Sequence, residues 1–377
     1  MSADATRSAS NHSAHVVPLL ALAALIGVWG RDLPAYVEVV VVVLLAGAVL
    51  AAVHHAEVVA HRVGEPFGSL ILAVAVTVIE VGLIITLMVA GGKGSPSLAR
   101  DTVFAAVMIT CNGIVGLSLL VTALRQKVAV FNPEGTGAAL ATVITLATLS
   151  LVLPTFTTST PGPEFTGPQL AFAATASLCL YLLFVVVQNV RHRDYFLPVS
   201  DDEPTGDDEP TSDDESASDE HAAAPSPQTA LISFGLLLIA LIAVVGLAKV
   251  ESSTIESAVA DAGLPQTFVG VVIALLVLLP ETLAAVRNAR RDRVQISLNL
   301  ALGSGMASIG LTIPAIAIAS IWLDGPLLLG LGATQIVLLA LTAGVGILTV
   351  MPGRATLLQA AVHVSICAAF FFLAANP

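Results

Sequence analysis

Two glutamates stand where a charge is costly. Glu80, at the end of the stretch Ala75-Val76-Thr77-Val78-Ile79-Glu80, and Glu281, inside Leu278-Leu279-Pro280-Glu281-Thr282, each lie within a long apolar run. A carboxylate at that depth in a bilayer has to face the protein interior or a wet cavity. Two such groups brought close together cannot both stay charged without a counter-cation. The pair therefore takes up either protons or a cation, and that competition is a physical basis for exchange. A hard cation such as Ca2+ asks for six to eight oxygens, so two glutamates need help. Thr77, Thr110, Asn112, Ser297, Asn299 and Ser304 offer side-chain oxygens, and Pro280, which lacks an N–H, frees a carbonyl in its own helix. The alternatives are buried structural acids for the glutamates and interhelical hydrogen bonds for the asparagines.

The surroundings of the two acids repeat. In the apolar run after each glutamate the pattern hydroxyl-x-Asn-x-x-x-Gly occurs, as Thr110-Cys111-Asn112 with Gly116 and as Ser297-Leu298-Asn299 with Gly303. Residues four apart share a helix face, and glycine there lets a second helix approach closely. The pattern predicts two related halves.

Composition fixes the elements that must hold these residues. Of 377 residues, 56% are hydrophobic and 11% charged, against about 25% charged in a soluble chain. The apolar runs approach the roughly 20 residues that cross a bilayer as a helix. The expected fold is all-α and polytopic, with about eleven spans near 16–30, 36–57, 67–90, 101–124, 137–158, 168–190, 229–249, 265–286, 296–321, 326–349 and 355–375. The first run reads as a retained helix rather than a cleaved signal. The expected organisation is an N-terminal segment with its leading helix (1–35), a five-helix repeat (36–190), an acidic linker (191–228) and a second five-helix repeat (229–377). Five is odd, so the second repeat starts from the other side of the membrane. Inverted repeats with midplane sites on interrupted helices are a transporter signature. Lys and Arg number eleven on one side and four on the other, which places the N-terminus in the cytoplasm and the C-terminus outside.

The net charge of −12 belongs to one segment, since eleven of the 27 acids lie between residues 201 and 220 and the rest nearly balance the 15 bases. That segment repeats DDEPTG, DDEPTS and DDESAS and carries too few apolar residues for a core. It reads as a solvated cytoplasmic spacer, with weak cation capture near a pore mouth as the sharper alternative. Its aspartates lack the glycine turn and terminal Glu of a Ca2+-binding loop. At the cytoplasmic end of the second span His54, His55, Glu57 and His61 cluster, and Glu65 opens the next span. Entrance or pH-sensing roles for His55, Glu57, His61 and Glu65 compete with interfacial packing. His363, alone in the last span, reads as hydrogen-bonded structure. Arg287, Arg290, Arg291 and Arg293 read as a topology anchor. Cys111, Cys179 and Cys367 sit in apolar runs without metal spacing and read as packing residues. The sequence holds no HExxH, no membrane Ser-His or paired-Asp constellation and no soluble catalytic domain, so an enzyme is not expected.

The stretches 54–84, with HAEVVAHRVGEP, and 280–320, with PETLAAV and SLNLALGSGMASIGL, resemble the two repeat regions of bacterial calcium/proton antiporters of the calcium/cation antiporter superfamily. The resemblance implies exchange of cytoplasmic Ca2+ for external protons by alternating access in an inner membrane. It implies Glu80 and Glu281 as paired cation ligands, with Thr77, Asn112, Asn299 and Ser304 at the repeat-motif polar positions. It implies inorganic cations, protons and the lipid bilayer as partners, with no cofactor and no nucleic acid. One departure stands out. Vacuolar and sodium-exchanging relatives put a small polar cluster directly before the glutamate, whereas here Val76, Val78 and Ile79 precede Glu80 and Leu278 and Leu279 precede Glu281, with only Thr77 and Pro280 remaining. Bacterial relatives of this type are also associated with Na+/H+ and K+/H+ exchange, so the ion stays open.

Overall fold

The structure, a computed structural model, describes residues 3–31, 33–64, 67–90, 95–198, 225–323 and 325–377. Helix α1 (Ala3–Val28) leads into α2 (Ala35–Val63) and α3 (Phe67–Ala90). The next span joins α4 (Leu98–Met108) to α5 (Val115–Gln126) through a π-helical turn, Ile109–Ile114. Strand β1 (Val128–Val130) and α6 (Pro133–Ala147) follow, then a second π-helical turn, Thr148–Val152, α7 (Leu153–Phe156) and α8 (Gly167–Val186). The second half contains α9 (Pro227–Val250), α10 (Ser252–Asp261), α11 (Phe268–Arg290), α12 (Val294–Ala319), α13 (Ala333–Val350), β2 (Arg354–Thr356) and α14 (Leu357–Ala375).

Local chemistry sets several of these boundaries. The Asn132 side chain accepts from the backbone N–H groups of Glu134 and Gly135, with Pro133 in the first turn of α6. Ser226 caps α9 in the same way, ahead of Pro227. Both satisfy donors that a helix start leaves orphaned. Pro154, which cannot donate, stands two residues after the π-helical turn over Thr148–Val152, a common cause of such a distortion.

The connections sort onto two faces. Antiparallel pairing of β1 with β2 ties the end of α5 to the end of α13. The Asn132 N–H donates to Gln295 at 2.7 Å, and Asn299 donates to the Phe196 carbonyl at 2.6 Å. The ends of α5, α8, α11 and α13 therefore share one face, here the linker face because residues 199–224 leave from it. On the far face Leu328 N–H donates to Pro96 O at 2.9 Å and Gly330 N–H to Pro163 O at 2.8 Å, which gathers the loops after α3, α7 and α12. This alternation requires each intervening span to cross once.

The halves pack reciprocally. The first spans, α2 and α9, lie together; α3 packs on α12 as α11 packs on α4 and α5; α8 packs on α12 as α14 packs on α5. Glu80 falls thirteen residues after Phe67, and Glu281 thirteen after Phe268.

Four features differ from the sequence expectation. Ten helices among the described residues are long and apolar enough to cross a membrane, whereas the apolar part of the leading helix is only Ala14–Val28. It lies against α2 and α9 as the apolar part of a helix of 26 residues. The tenth expected span begins at Ala333 rather than 326, because Gly330 passes so close to Thr155 and Pro163 that a side chain would not fit. Helix α10 was not expected. Residues 191–198 also belong to the body, with Phe196 buried edge-on against Phe184; the acidic repeat at 201–218 lies outside the described residues.

Candidate ion-binding site

Glu80 is only 2% exposed. Its Oε1 accepts from the Ser308 hydroxyl at 2.6 Å and its Oε2 from the Thr312 hydroxyl at 3.0 Å. Both donors come from α12, one turn apart. Thr77, one turn before Glu80 on α3, and Ser304, one turn before Ser308 on α12, line the same small pocket of about 10 Å3. That volume is at the lower limit of what one water needs, and with 2% exposure Glu80 is sealed from the cavity.

Glu281 is in a different environment. It borders a cavity of about 400 Å3 lined from α2, α3, α8, α11 and α12. Its Oε2 is buried and has no hydrogen-bond partner. Glu57 stands on the wall of the same cavity, with Gln188 and Asn299 near the linker face. Glu57 and Glu80 both lie within electrostatic reach of Glu281. Ser304, Val76 and Ala307 line both the cavity and the Glu80 pocket, so a single layer of side chains separates the open acid from the sealed one. Helix α11 stays continuous through Pro280.

The asparagines do not occupy equivalent places. Asn112 is fourteen residues into its span, counted from Leu98, whereas Asn299 is five residues after Val294. Ser308 holds the position that corresponds to Asn112. The repeated hydroxyl-x-Asn-x-x-x-Gly pattern matches in residue type and not in depth. Asn299 sits toward the linker face with its amide engaged by Gln295 at 2.8 Å and by Phe196 O. Asn112 is fully buried, donating to Thr342 at 2.9 Å on α13 and accepting from His363 Nδ1 at 3.2 Å on α14. His363 Nε2 meets Thr349 at 3.1 Å. Helices α4 and α11 run in the same direction, and Gly270 lies directly against Asp101 and Thr102. Eleven residues further along the two helices come Glu281 and the pair Asn112-Gly113, so Asn112 is at the depth of Glu281 with its side chain turned away.

The other candidates separate. The Thr110 hydroxyl bonds back to Ala106 O at 2.8 Å where α12 crosses at Gly305. The Ser297 hydroxyl ties α12 to α11 through Ala285 O at 2.7 Å. Neither lines the cavity. His55 is fully buried, bonding Ala14 O at 3.0 Å and contacting the rings of His15 and His54; it packs α1 on α2 and is not brought to the cavity. His61 is exposed at the end of α2, and Glu65 lies outside the described residues. No group of three or more His, Cys, Asp or Glu able to hold a metal occurs among the described residues. Ser308 and Thr312 were missed from sequence. The signal was there: Ser304, Ser308 and Thr312 recur every four residues, a hydroxyl stripe on one face of an apolar helix.

A helical membrane bundle of two reciprocal halves, with an acid from each half at the same register, defines a transporter architecture. The chain matches the family described as sodium/calcium exchanger protein over residues 34–190 and 232–375, and it belongs to that family. It is 46% identical over 334 residues to the putative ionic transporter y4hA of Sinorhizobium fredii (strain NBRC 101917 / NGR234), covering 89% of this chain and 87% of that protein. It is 32% identical over 371 residues to the sodium-potassium/proton antiporter ChaA of Escherichia coli (strain K12), covering 97% of each. Among solved structures, YfkE shares the fold with a TM-score of 0.68 and 16% identity, over 97% of this chain and 99% of that one. The protein is thus a multi-pass membrane cation exchanger, of a family of transporters and not of enzymes.

Proposed function

We infer that the chain is a secondary cation/proton antiporter working by alternating access, with Glu80 and Glu281 as the shared cation and proton site. The observation that carries this is the cavity that reaches Glu281 and stops one side-chain layer short of the sealed Glu80. On this reading the structure is the conformer open to the linker face, which the Lys and Arg balance assigns to the cytoplasm of an inner membrane. Ser304 and Thr77 supply oxygens between the acids. Asn112, at the depth of Glu281, is a ligand in the opposite conformer and is held by Thr342 and His363 in this one. Asn299 and Glu57 belong to the mouth.

Ca2+ export against protons is the first substrate reading. A second, Na+ or K+ against protons, is favoured by the full-length similarity to ChaA and by the apolar residues that precede both glutamates, which leave few oxygens for a divalent ion that wants six to eight. The test is proton release from acid-loaded everted vesicles on separate addition of Ca2+, Na+ and K+. Release on Ca2+ addition that is lost in Glu80→Gln and in Glu281→Gln supports the first reading. Release with Na+ or K+ alone supports the second. No release with any cation, in membranes shown to contain the protein, overturns both.

A further inference from the structure

A second pattern repeats between the halves. Glu57, Gly64 and Pro66 have the same spacing as Glu256, Gly263 and Pro265. Gly64 and Gly263 both have a positive φ, 78° and 71°, which favours glycine. The match makes Glu256 on α10 the counterpart of Glu57 on the cavity wall. In the first half α2 runs unbroken through Glu57. In the second half the helix breaks at Glu251, and α10 lies as a separate piece on the far face against α3, α9 and α11.

Glu251 sits at that break. It is fully buried, and neither carboxylate oxygen has a partner at good hydrogen-bond geometry, the Thr254 hydroxyl making only a weak contact. A buried carboxylate without good donors is costly and is relieved by a proton or a cation. The charged groups around it leave it uncompensated. Glu38 faces it from α2, Glu256 follows on α10, and Lys249 at the end of α9 is exposed. Arg31, beyond α1, is exposed on the same face. Asp101, at the head of α4, is held by Ser97 and Arg100. Among the described residues the far ends of α3 and α11 bring no charged side chain.

We propose that Glu251 and Glu256 form the far-face mouth site for the exchanged cation and proton, closed under α10 while the linker-face cavity is open. The proposal rests on the antiporter reading above. Burial, and then Glu38, push the Glu251 carboxyl above the ordinary carboxylate range, partly offset by the Thr254 hydroxyl, so the group holds its proton more readily than a free glutamate. By repeat symmetry Glu251 and Glu256 serve the route to Glu80 as Glu57 serves the route to Glu281.

The experiment compares right-side-out and everted membrane vesicles carrying the full chain, as wild type, Glu57→Gln, Glu251→Gln and Glu256→Gln. Ca2+, Na+ or K+ is varied in the bath under a fixed pH gradient. Glu251→Gln and Glu256→Gln are expected to raise the half-saturating concentration in the preparation whose far face meets the bath, by about threefold to tenfold for Na+ or K+ and about tenfold to a hundredfold for Ca2+, the effect of one unit charge about 6 Å away in a dielectric between water and half of water. In the other preparation the change stays within about twofold, and Glu57→Gln shows the opposite sidedness. Equal shifts in both preparations, or no shift at the far face, overturn the proposal while wild-type exchange keeps the antiporter reading. Absence of exchange in the wild type overturns both. If Glu251→Gln does not accumulate, Glu251→Asp and Glu256→Gln decide the matter by the same sidedness.

Discussion

Removing the Ser308 hydroxyl tests the seal around Glu80. At 2.6 Å the Ser308 contact is in the range of a charge-assisted O–H···O bond, whereas the Thr312 contact at 3.0 Å is in the ordinary range. A hydrogen bond to a charged group contributes about 1.5–3 kcal/mol, and a neutral one about 0.5–1.5 kcal/mol. Ser308→Ala should therefore weaken this conformer by about 1.5–3 kcal/mol, roughly tenfold to 150-fold in its equilibrium. In a Glu80→Gln background, which keeps the shape and removes the charge, the same change should cost only about 0.5–1.5 kcal/mol. The difference is the coupling between the two side chains. Reversible unfolding of the purified protein in mixed detergent measures each corner of this cycle. Thr312→Val, which preserves volume, should show a smaller coupling with Glu80 than Ser308→Ala does. A Ser308→Ala cost below about 0.5 kcal/mol, or the same cost in both backgrounds, would refute the seal as described.

Two further outcomes follow from the same geometry. Because the Glu251 carboxyl is raised in the folded state, its contribution is fully present below the ordinary glutamate value of about 4.3 and is lost as pH rises through the raised value. Glu251→Gln cannot ionise, so it should melt with wild type at pH 4 and above it at pH 8, as followed by thermal unfolding at the two pH values; a difference independent of pH would remove Glu251 ionisation as its cause. Thr342→Val leaves the buried Asn112 amide without its 2.9 Å acceptor and should cost about 1–3 kcal/mol of stability, measured in the same detergent titration, where an unchanged value would mean that Thr342 does not hold Asn112.

What the sequence made legible was what depth alone decides. An acid inside a 20-residue apolar run has few places to go, so Glu80 and Glu281 stood out, and the structure sets them at the same register of their helices. The asparagine pattern misled because residue type and spacing carry no depth: Asn299 falls in the first turns of α12 and Asn112 in the middle of its span. Ser308 escaped notice because a lone serine in a transmembrane run is common, and only its spacing from Ser304 and Thr312 marks it. Helix α10 is short and polar and is joined to α9 with no proline or glycine at the junction, so neither hydropathy nor a breaker announced it. The extended stretch before Ala333 reads as apolar helix until Gly330 is seen wedged against Thr155 and Pro163.

The asymmetry between the halves bears on how one sequence pattern serves two faces. Ser308 and Asn112 hold corresponding positions, and each lies at the depth of the glutamate its helix packs beside. Ser308 grips Glu80. Asn112 does not grip Glu281, because Thr342 and His363 occupy its amide from the other side. If both halves made the same contact, both acids would be sealed and no cation could enter; if neither did, a continuous path would open between them. On the antiport reading, exchange requires that the two contacts alternate. The hydroxyls must release Glu80 as the amide turns to Glu281, and the π-helical turn at Ile109–Ile114 carries Asn112 on a stretch of backbone whose hydrogen bonds are already out of α-helical register, where such turns are frequent at functional sites. On that reading Asn112 is the residue that rotates, and it sits on the π-helical segment of its span.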